Sequence, residues 1–231
     1  MKIDLKKYLG ERDKLKMSKE DGPVLTISRQ YGCNSNKIVM KLLHRINSHV
    51  KKKKGTAAHW RWRYISKEII DDSASELGLV SKKIEQQILR KEMGAVGDFF
   101  HGLSQHYTIN DEMLVGTVKS IIEDYARAGN VIIIGRGAFA VTQNMKSALH
   151  VRFIAPLDFR IDQISKKRDI SKEEAEKLIK EVDQHRKSWT ENLSGKEFTD
   201  SWFNIILNRE HLSEEEIVHT IFTIMENRGM F

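Results

Sequence analysis

The turn from Arg29 to Lys37 carries residue types that could bind an anion. It follows the apolar segment Val24–Ser28 and runs directly into a helical pattern, so it lies at a helix N-terminus. Unpaired backbone N–H groups and the helix dipole favour negative charge at such a position. Gly32 permits a tight turn, and Arg29 and Lys37 add positive charge. Because the turn does not match G-x-x-x-x-G-K-[ST], its sequence alone is also compatible with an ordinary strand-to-helix connection.

Arginines farther along the chain form a second group of candidates. Arg136 lies between two glycines directly after an apolar segment, where its guanidinium could fork onto a phosphate. Taken alone, Arg136 could equally form a structural salt bridge. The densely charged stretch Asp158–Lys196 contributes residues whose spacing could bring several guanidinium groups over one anion. These residues are Arg160, Arg168, Asp183 and Arg186, and each alone would be an ordinary surface residue.

Five apolar segments must position these residues, and most are continuous rather than alternating. Continuous runs are typical of a parallel sheet that is covered on both faces. The predicted strands are Val24–Ser28, Trp62–Ile65, Val131–Gly135, His150–Ala155 and Phe203–Leu207. The pattern predicts an open α/β sheet, in which ligands bind outside the carboxyl ends of the strands, where Ser28 and Gly135 would lie.

Helical patterns fill the segments between these strands. Apolar residues recur at helical spacing in Lys37–His49 and Glu112–Ala128. Ser66–His106 is helical and moderately apolar, and it could cover a substrate. Ser171 to Glu174 has the form of a capping box that opens a helix running towards Trp189, and the last predicted helix is Ser213–Glu226.

Composition narrows the classes of partner and compartment. The 231 residues are 40% hydrophobic, enough for a sizeable core, and the net charge of +7 favours an anionic partner. That partner could be nucleic acid, a membrane surface or a phosphorylated small molecule. A single cysteine, Cys33, excludes a disulfide framework within the chain. Because Met1–Asp21 has no apolar run, we predict neither a signal peptide nor a membrane segment, and we expect a cytoplasmic protein.

The aromatic and basic cluster His59–Tyr64 could hold single-stranded nucleic acid by stacking. Alternation along a strand favours the other interpretation, in which Trp62 and Tyr64 pack in the core while Arg61 and Arg63 face the other side. We therefore do not expect nucleic acid as the partner.

Taken together, motifs in a fixed order resemble the cytidylate kinase-like family of P-loop proteins, which are relatives of the nucleoside monophosphate kinases. The matching residues are Ile27–Gly32, Lys67–Ile70, Val131–Ala138, His150–Leu157, Arg160, Ser171–Lys177, Asp183–Arg186 and Phe203–Asn208. They extend in order from Val24 to Met225, too far for the accident of a single motif.

The resemblance implies a P-loop NTPase-type, three-layer α/β/α fold with a five-stranded parallel sheet. It also implies a helical insert at residues 66–110 that binds the acceptor nucleotide, and an arginine-bearing lid at 158–197. We expect residues 1–231 to form one domain, with residues 1–21 as an N-terminal extension. The activity implied is transfer of the γ-phosphoryl group of ATP, with Mg²⁺, to a nucleoside monophosphate or a related small molecule.

The resemblance also implies roles for the candidate residues. The donor phosphates would be held beside Arg29 by a run of six residues, Gly32, Cys33, Asn34, Ser35, Asn36 and Lys37. Arg136 would hold the acceptor phosphate. Arg160, Arg168 and Arg186 would belong to the lid, and Asp183 would orient Arg186. Lys37 and these four arginines would be catalytic, since phosphoryl transfer depends mostly on positioning and charge neutralisation.

The phosphate loop departs from the family pattern. Relatives usually carry Gly-Ser-Gly-Gly followed by Arg, whereas this chain has Gly32-Cys-Asn-Ser-Asn-Lys37. Asparagine tolerates left-handed backbone geometry, so an anion-binding loop is still possible. Lys37 stands where a Walker-type loop carries the Ser/Thr that ligates Mg²⁺, so we identify no protein ligand and expect the metal to rely on phosphates and water.

Other departures bear on the substrate and on a second hypothesis. Ser66 and Asn204 replace acidic residues that are common in relatives. Both replacements weaken the case for a cytidylate substrate. The altered loop and the missing Mg²⁺ ligand favour a nucleotide-binding regulator or pseudokinase without efficient transfer. Cys33 lies near positive charge and a helix start, conditions that lower a thiol pKa, but we interpret it as a small loop residue rather than a redox switch.

Overall fold

The computed structural model describes residues 21–55, 57, 60–66 and 111–231. The predictions for the N-terminal extension before residue 21, for Lys67–Ile70 and for the helical insert after residue 66 concern segments outside the described residues. His59 in the aromatic and basic cluster also lies outside them.

A five-stranded parallel sheet forms the centre of the molecule. Its strands are β1 Val24–Arg29, β2 Arg63–Ile65, β3 Val131–Ile134, β4 Ala148–Ile154 and β5 Ile205–Asn208. The spatial order is β2-β3-β1-β4-β5, and each adjacent pair runs parallel. All five predicted strands are confirmed, with ends that shift by one or two residues. One shift places Asn204 before β5 rather than within it, and its side-chain oxygen accepts a hydrogen bond from the backbone N–H of His150 at 2.8 Å.

Helices connect and cover these strands. They are α1 Asn36–Lys54, α2 Asp111–Ala128, α3 Ala138–Val141, α4 Leu157–Arg168, α5 Lys172–Ser194 and α6 Glu214–Asn227. Two of them begin with the capping boxes expected from sequence, in which Ser171 pairs with Glu174 and Ser213 pairs with Glu216. Each box satisfies backbone N–H groups that the first turn would otherwise leave unpaired.

The two faces of the sheet bury separate apolar clusters. Leu25 and Ile27 of β1 pack with α1 and α6 in one cluster, whereas Val24 of β1 and Ile133 of β3 pack with α2 in the other. Burial on both faces explains why the strand sequences read as continuous apolar runs. The three-layer α/β fold class predicted from sequence is thereby confirmed.

Trp62 and Tyr64 lie against the first cluster, and Trp62 is fully buried. The Arg63 guanidinium instead lies 5.5 Å from the centre of the Tyr125 ring, which belongs to the second cluster. The packing interpretation of Trp62 is therefore confirmed, because a buried indole cannot stack on a base.

Parallel alignment brings the ends of the central strands to one edge. Ile27 of β1 is in register with Ile134 of β3 and with Val151 of β4. The segments that follow these strands, beginning at Gln30, Gly135 and Ala155, therefore emerge together. This edge carries the candidate site.

Candidate functional site

The turn after β1 is tied to the end of β4. Gln30 N–H donates to the Phe153 carbonyl at 3.0 Å, and the Gln30 side-chain oxygen accepts from Ala155 N–H at the same distance. Gly32 is buried with φ of +97°, and a Cβ placed there would lie only 2.8 Å from Cβ of Arg160. Both the backbone angle and the close approach of α4 explain why this position is glycine.

The start of α1 lacks the anionic neutralisation seen in two other helices. Ser35, its N-cap, makes no side-chain capping hydrogen bond, and the first turn contains no acidic residue. Helices α5 and α6 both begin with capping boxes that include glutamates. Asn36 and Lys37 are exposed at this end of α1. The helix dipole and the unpaired N–H groups there suit a phosphate.

Three arginines from different elements donate to backbone carbonyls of this turn. Nη1 of Arg186 in α5 reaches the Arg29 carbonyl at 3.0 Å, and Nη1 of Arg160 in α4 reaches that of Tyr31 at 3.3 Å. Nε of Arg209, directly after β5, reaches the Cys33 carbonyl at 3.2 Å. These three carbonyl oxygens accept from guanidinium groups. The turn is therefore surrounded by positive charge.

Asp183 of α5 links the lid region to the turn. Its carboxylate accepts from Nη1 of Arg160 at 2.6 Å and from the backbone N–H of Tyr31 at 2.8 Å. Arg186 lies 3.9 Å from the same carboxylate. The sequence-based hypothesis had Asp183 orienting Arg186, and the structure places Arg160 at the shorter distance. The exposed Arg168 reaches the turn through Tyr31, whose hydroxyl accepts from Nη2 at 3.2 Å.

Arg136 occupies a left-handed turn between β3 and α3. Gly135, Arg136 and Gly137 all have positive φ, and the value at Arg136 is +54°. The backbone carbonyl of Arg136 accepts from Nε1 of Trp189 in α5 at 3.2 Å, and its guanidinium lies 5.2 Å from the centre of that ring. A Cβ on Gly135 would overlap the guanidinium of Arg29. Arg29 and Arg136 therefore both approach the edge of the sheet near β3.

Sequence reasoning missed two arginines at this edge. Arg209 follows β5 directly, which is the same signal that identified Arg136 after β3. Arg152 lies within β4, with its guanidinium 4.6 Å from the ring centre of Phe198 and its Nε 3.0 Å from a carboxylate oxygen of Asp200. No local sequence signal distinguishes Arg152 from an exposed strand residue, because its aromatic neighbours come from a distant segment.

The positive charge and the helix start near Cys33 do not lower the pKa of its thiol. The thiol is buried, and desolvation raises its pKa to about 11, while the nearby Arg160 guanidinium lowers it by less. Burial disfavours the thiolate more than the surrounding positive charge favours it.

The described residues fit phosphate better than they fit a dedicated metal site. Among them, no group of three His, Cys, Asp or Glu side chains could hold an ion. Asp183, the carboxylate that contacts the turn, already accepts from Arg160 and Tyr31. The described residues therefore offer Mg²⁺ no cluster of carboxylates, and phosphate oxygens and water are the ligands that Mg²⁺ commonly uses in such sites. The described helices include none with the length and apolarity needed to cross a bilayer.

A family model described as the cytidylate kinase-like family matches residues 24–211, which is more than half of the chain. The chain belongs to this family. Membership connects it with phosphoryl transfer as a reaction class and with nucleotide and small-molecule substrates. A search of curated proteins found no match.

Solved structures of low sequence identity are similar to this chain. A protein from Eubacterium ventriosum ATCC 27560, described as uncharacterized, has a TM-score of 0.58 at 12% identity, covering 89% of this chain and 98% of that chain. A shikimate kinase from Bacteroides thetaiotaomicron has a TM-score of 0.49 at 12% identity, covering 88% and 98%. At such identities the first likeness supports the fold alone, because one fold serves many functions.

Proposed function

We propose that this protein transfers a phosphoryl group from ATP to a nucleoside monophosphate or a related phosphorylated small molecule. The observation that carries the proposal is the convergence of Arg160, Arg186 and Arg209 on the turn before α1. Each comes from a different element, so the arrangement is a product of the fold rather than of one charged segment. Family membership supplies the reaction class.

In this proposal the turn and the start of α1 hold the donor phosphates. Backbone N–H groups from Gly32 to Lys37 provide hydrogen-bond donors, except that of Cys33, which donates to the Gln30 carbonyl, and the exposed Lys37 provides a positive charge. The arginines of α4 and α5 neutralise charge that develops during transfer, which is most of what a protein contributes to this reaction. Bound ATP supplies the phosphoryl group itself.

Arg136 is the proposed anchor for the acceptor phosphate. Its position directly after β3 places it at the same edge as the turn after β1. The contact of its backbone with Trp189 couples that anchor to α5, which also carries Asp183 and Arg186. Movement of α5 would then alter the donor and acceptor sides together.

A nucleotide-binding regulator without efficient transfer is the second candidate, and one observation favours it. The Asp183 carboxylate accepts the Tyr31 N–H at 2.8 Å, so an anion of the protein itself already contacts the phosphate turn. We expect this contact between Asp183 and Tyr31 in a protein that binds nucleotide only weakly or that only signals the presence of nucleotide.

A coupled assay of ADP release against CMP, UMP, AMP and GMP tests the proposal, together with calorimetric titration of ATP with Mg²⁺. We expect turnover with at least one monophosphate. Measurable ATP binding without turnover on this panel would contradict the kinase proposal and favour the regulator.

Two variants test the site assignments. Lys37→Ala should weaken ATP binding. Lys41→Ala, one turn later in α1, should leave ATP binding unchanged, because Lys41 pairs with Glu214 and Glu215 of α6. Arg136→Ala should lower kcat/KM for the acceptor about 100-fold, the usual cost of losing one charge-stabilising donor. Unchanged ATP affinity in Lys37→Ala, or unchanged activity in Arg136→Ala, would show the corresponding assignment to be wrong.

A further inference from the structure

Arg152 lies on β4 at the level where the central strands end. It is in register with Ser28 of β1 and Ile206 of β5. Its neighbours Val151 and Phe153 belong to the cluster beneath α1 and α6. Since successive side chains of a strand alternate, Arg152 projects from the opposite face, on the side of α3 and α5.

An aromatic group holds this arginine in place. The guanidinium lies 4.6 Å from the centre of the Phe198 ring and 5.4 Å from that of Phe203. Phe139 of α3 packs against Phe203 with ring centres 4.4 Å apart, which ties the group to the sheet. Contact with two aromatic rings restricts the position of the guanidinium.

The charge of Arg152 is only partly neutralised by its surroundings. Its side chain is 15% exposed, and the ion pair with Asp200 runs through Nε at 3.0 Å. Asp200 itself is 59% exposed, so water weakens this pair. A guanidinium has five N–H donors, and among the described residues no hydrogen bond or ion pair engages the Nη1 and Nη2 groups of Arg152.

Arg152 is also close enough to the phosphate turn to share its electrostatic field. Burial lowers the pKa of the Arg152 guanidinium, and Asp200 followed by Asp183 opposes that shift. Burial lowers the pKa of Arg186, whose side chain contacts the turn, and the charge of Arg152 adds a smaller contribution in the same direction. Arg152 therefore lies on the side of the sheet that faces α5, within the field of the arginines that contact the turn.

We propose that the Nη groups of Arg152 form an anion subsite that binds the phosphate monoester of the acceptor. The planar fork of a guanidinium matches phosphate oxygens in a bidentate arrangement. Burying a charge beside aromatic rings is costly without a compensating partner, and a substrate phosphate supplies that partner. This subsite rests on the proposed function, and it adds a second acceptor contact to Arg136.

Calorimetric titration of CMP, cytidine and ATP into wild-type protein, Arg152→Gln and Arg45→Gln tests the subsite. Arg45 is a matched control, because its guanidinium also lies 4.5 Å from an aromatic ring, that of Phe222, but on the α1 and α6 side of the sheet. We expect Arg152→Gln to weaken CMP binding at least tenfold and to change ATP affinity less than threefold. Arg45→Gln should change neither affinity, and cytidine affinity should be the same in all three proteins.

The possible outcomes separate this inference from the proposed function. CMP affinity within twofold of wild type in folded Arg152→Gln overturns the subsite, as does the absence of CMP binding by wild type. CMP binding that depends on Arg152, without turnover on any monophosphate, supports the subsite while the kinase proposal fails. If Arg152→Gln does not fold, Arg152→Lys answers the question, because it keeps the charge but loses the planar fork. We expect at least fivefold weaker CMP binding by that variant, and an unchanged affinity overturns the subsite.

Discussion

Replacing Asp183 with alanine should destabilise the protein by removing one partner of a largely buried ion pair. The Arg160 side chain is 10% exposed and the Asp183 side chain 28%, with Nη1 and Oδ2 2.6 Å apart. Asp183→Ala leaves the Arg160 charge without its carboxylate, although its Nε still donates to the Ala155 carbonyl and its Nη1 to that of Tyr31. The N–H of Tyr31 also loses its acceptor.

The magnitude follows from burial. Removing one member of a fully buried pair costs about 3–5 kcal/mol. Because Asp183 is partly exposed and Arg160 retains two carbonyl acceptors, we expect a loss at the lower end, about 3 kcal/mol in the free energy of unfolding. For a chain of this size that loss corresponds to a fall in Tm of about 6–12 °C. Asp183→Asn should cost less, because the amide oxygen can still accept from Tyr31.

Urea unfolding followed by circular dichroism measures this effect, with Glu176→Ala as the matched control. Glu176 and Lys180 lie on the same helix at the same distance of 2.6 Å, but their side chains are 40% and 66% exposed. Removing that exposed pair should cost about 0.5 kcal/mol or less. Equal losses for Asp183→Ala and Glu176→Ala would refute the reasoning that burial gives the Arg160 pair its importance.

Three other residues give further predictions. Gly32→Ala should destabilise more than Gly195→Ala in urea unfolding, because both have positive φ but only Gly32 places the new Cβ 2.8 Å from another atom; equal losses would contradict the packing argument. Burial lowers the pKa of His150 from 6.5 to about 4 in the folded protein. As the pH falls, the unfolded chain therefore binds a proton at this histidine before the folded protein does. The free energy of unfolding should fall by about 2 kcal/mol between pH 7.5 and pH 5. His150→Gln should flatten that dependence, and an unchanged slope would exclude His150 as its cause. With the pKa of Cys33 raised to about 11, a disulfide reagent at pH 8 should label it only after unfolding, and rapid labelling of the native protein would contradict its burial.

Local sequence patterns were sufficient for the elements of the fold. The strands could be predicted because both faces of a parallel sheet are buried, which makes the strand sequences continuously apolar. The starts of α5 and α6 could be predicted because a capping box needs only a serine and a glutamate three residues apart. The pairs are Ser171 with Glu174 and Ser213 with Glu216. Strand ends were predicted less well, since hydrogen bonding to a neighbouring strand, not residue type, decides where a strand stops.

Residues of the site were predictable where their position along the chain revealed their place in the fold. Arg136 was identified because it directly follows a strand, and the turn after β1 because it precedes a helix. The signal at Arg152 was absent, because the rings of Phe198 and Phe203 that hold it come from a segment more than 40 residues away. The raised pKa of Cys33 could not be predicted for a similar reason, since its burial depends on packing across the whole first cluster.

The sequence by itself determined that the turn from Arg29 to Lys37 lies at the start of a helix and that arginines follow it along the chain. Both are properties of neighbouring residues. Only the tertiary structure decided that Asp183 contacts the N–H of Tyr31 and that Arg186 contacts the carbonyl of Arg29, more than 150 residues distant. Such contacts depend on how α5 packs over the sheet, and the free energy of that packing is spread over many residues rather than encoded beside the turn.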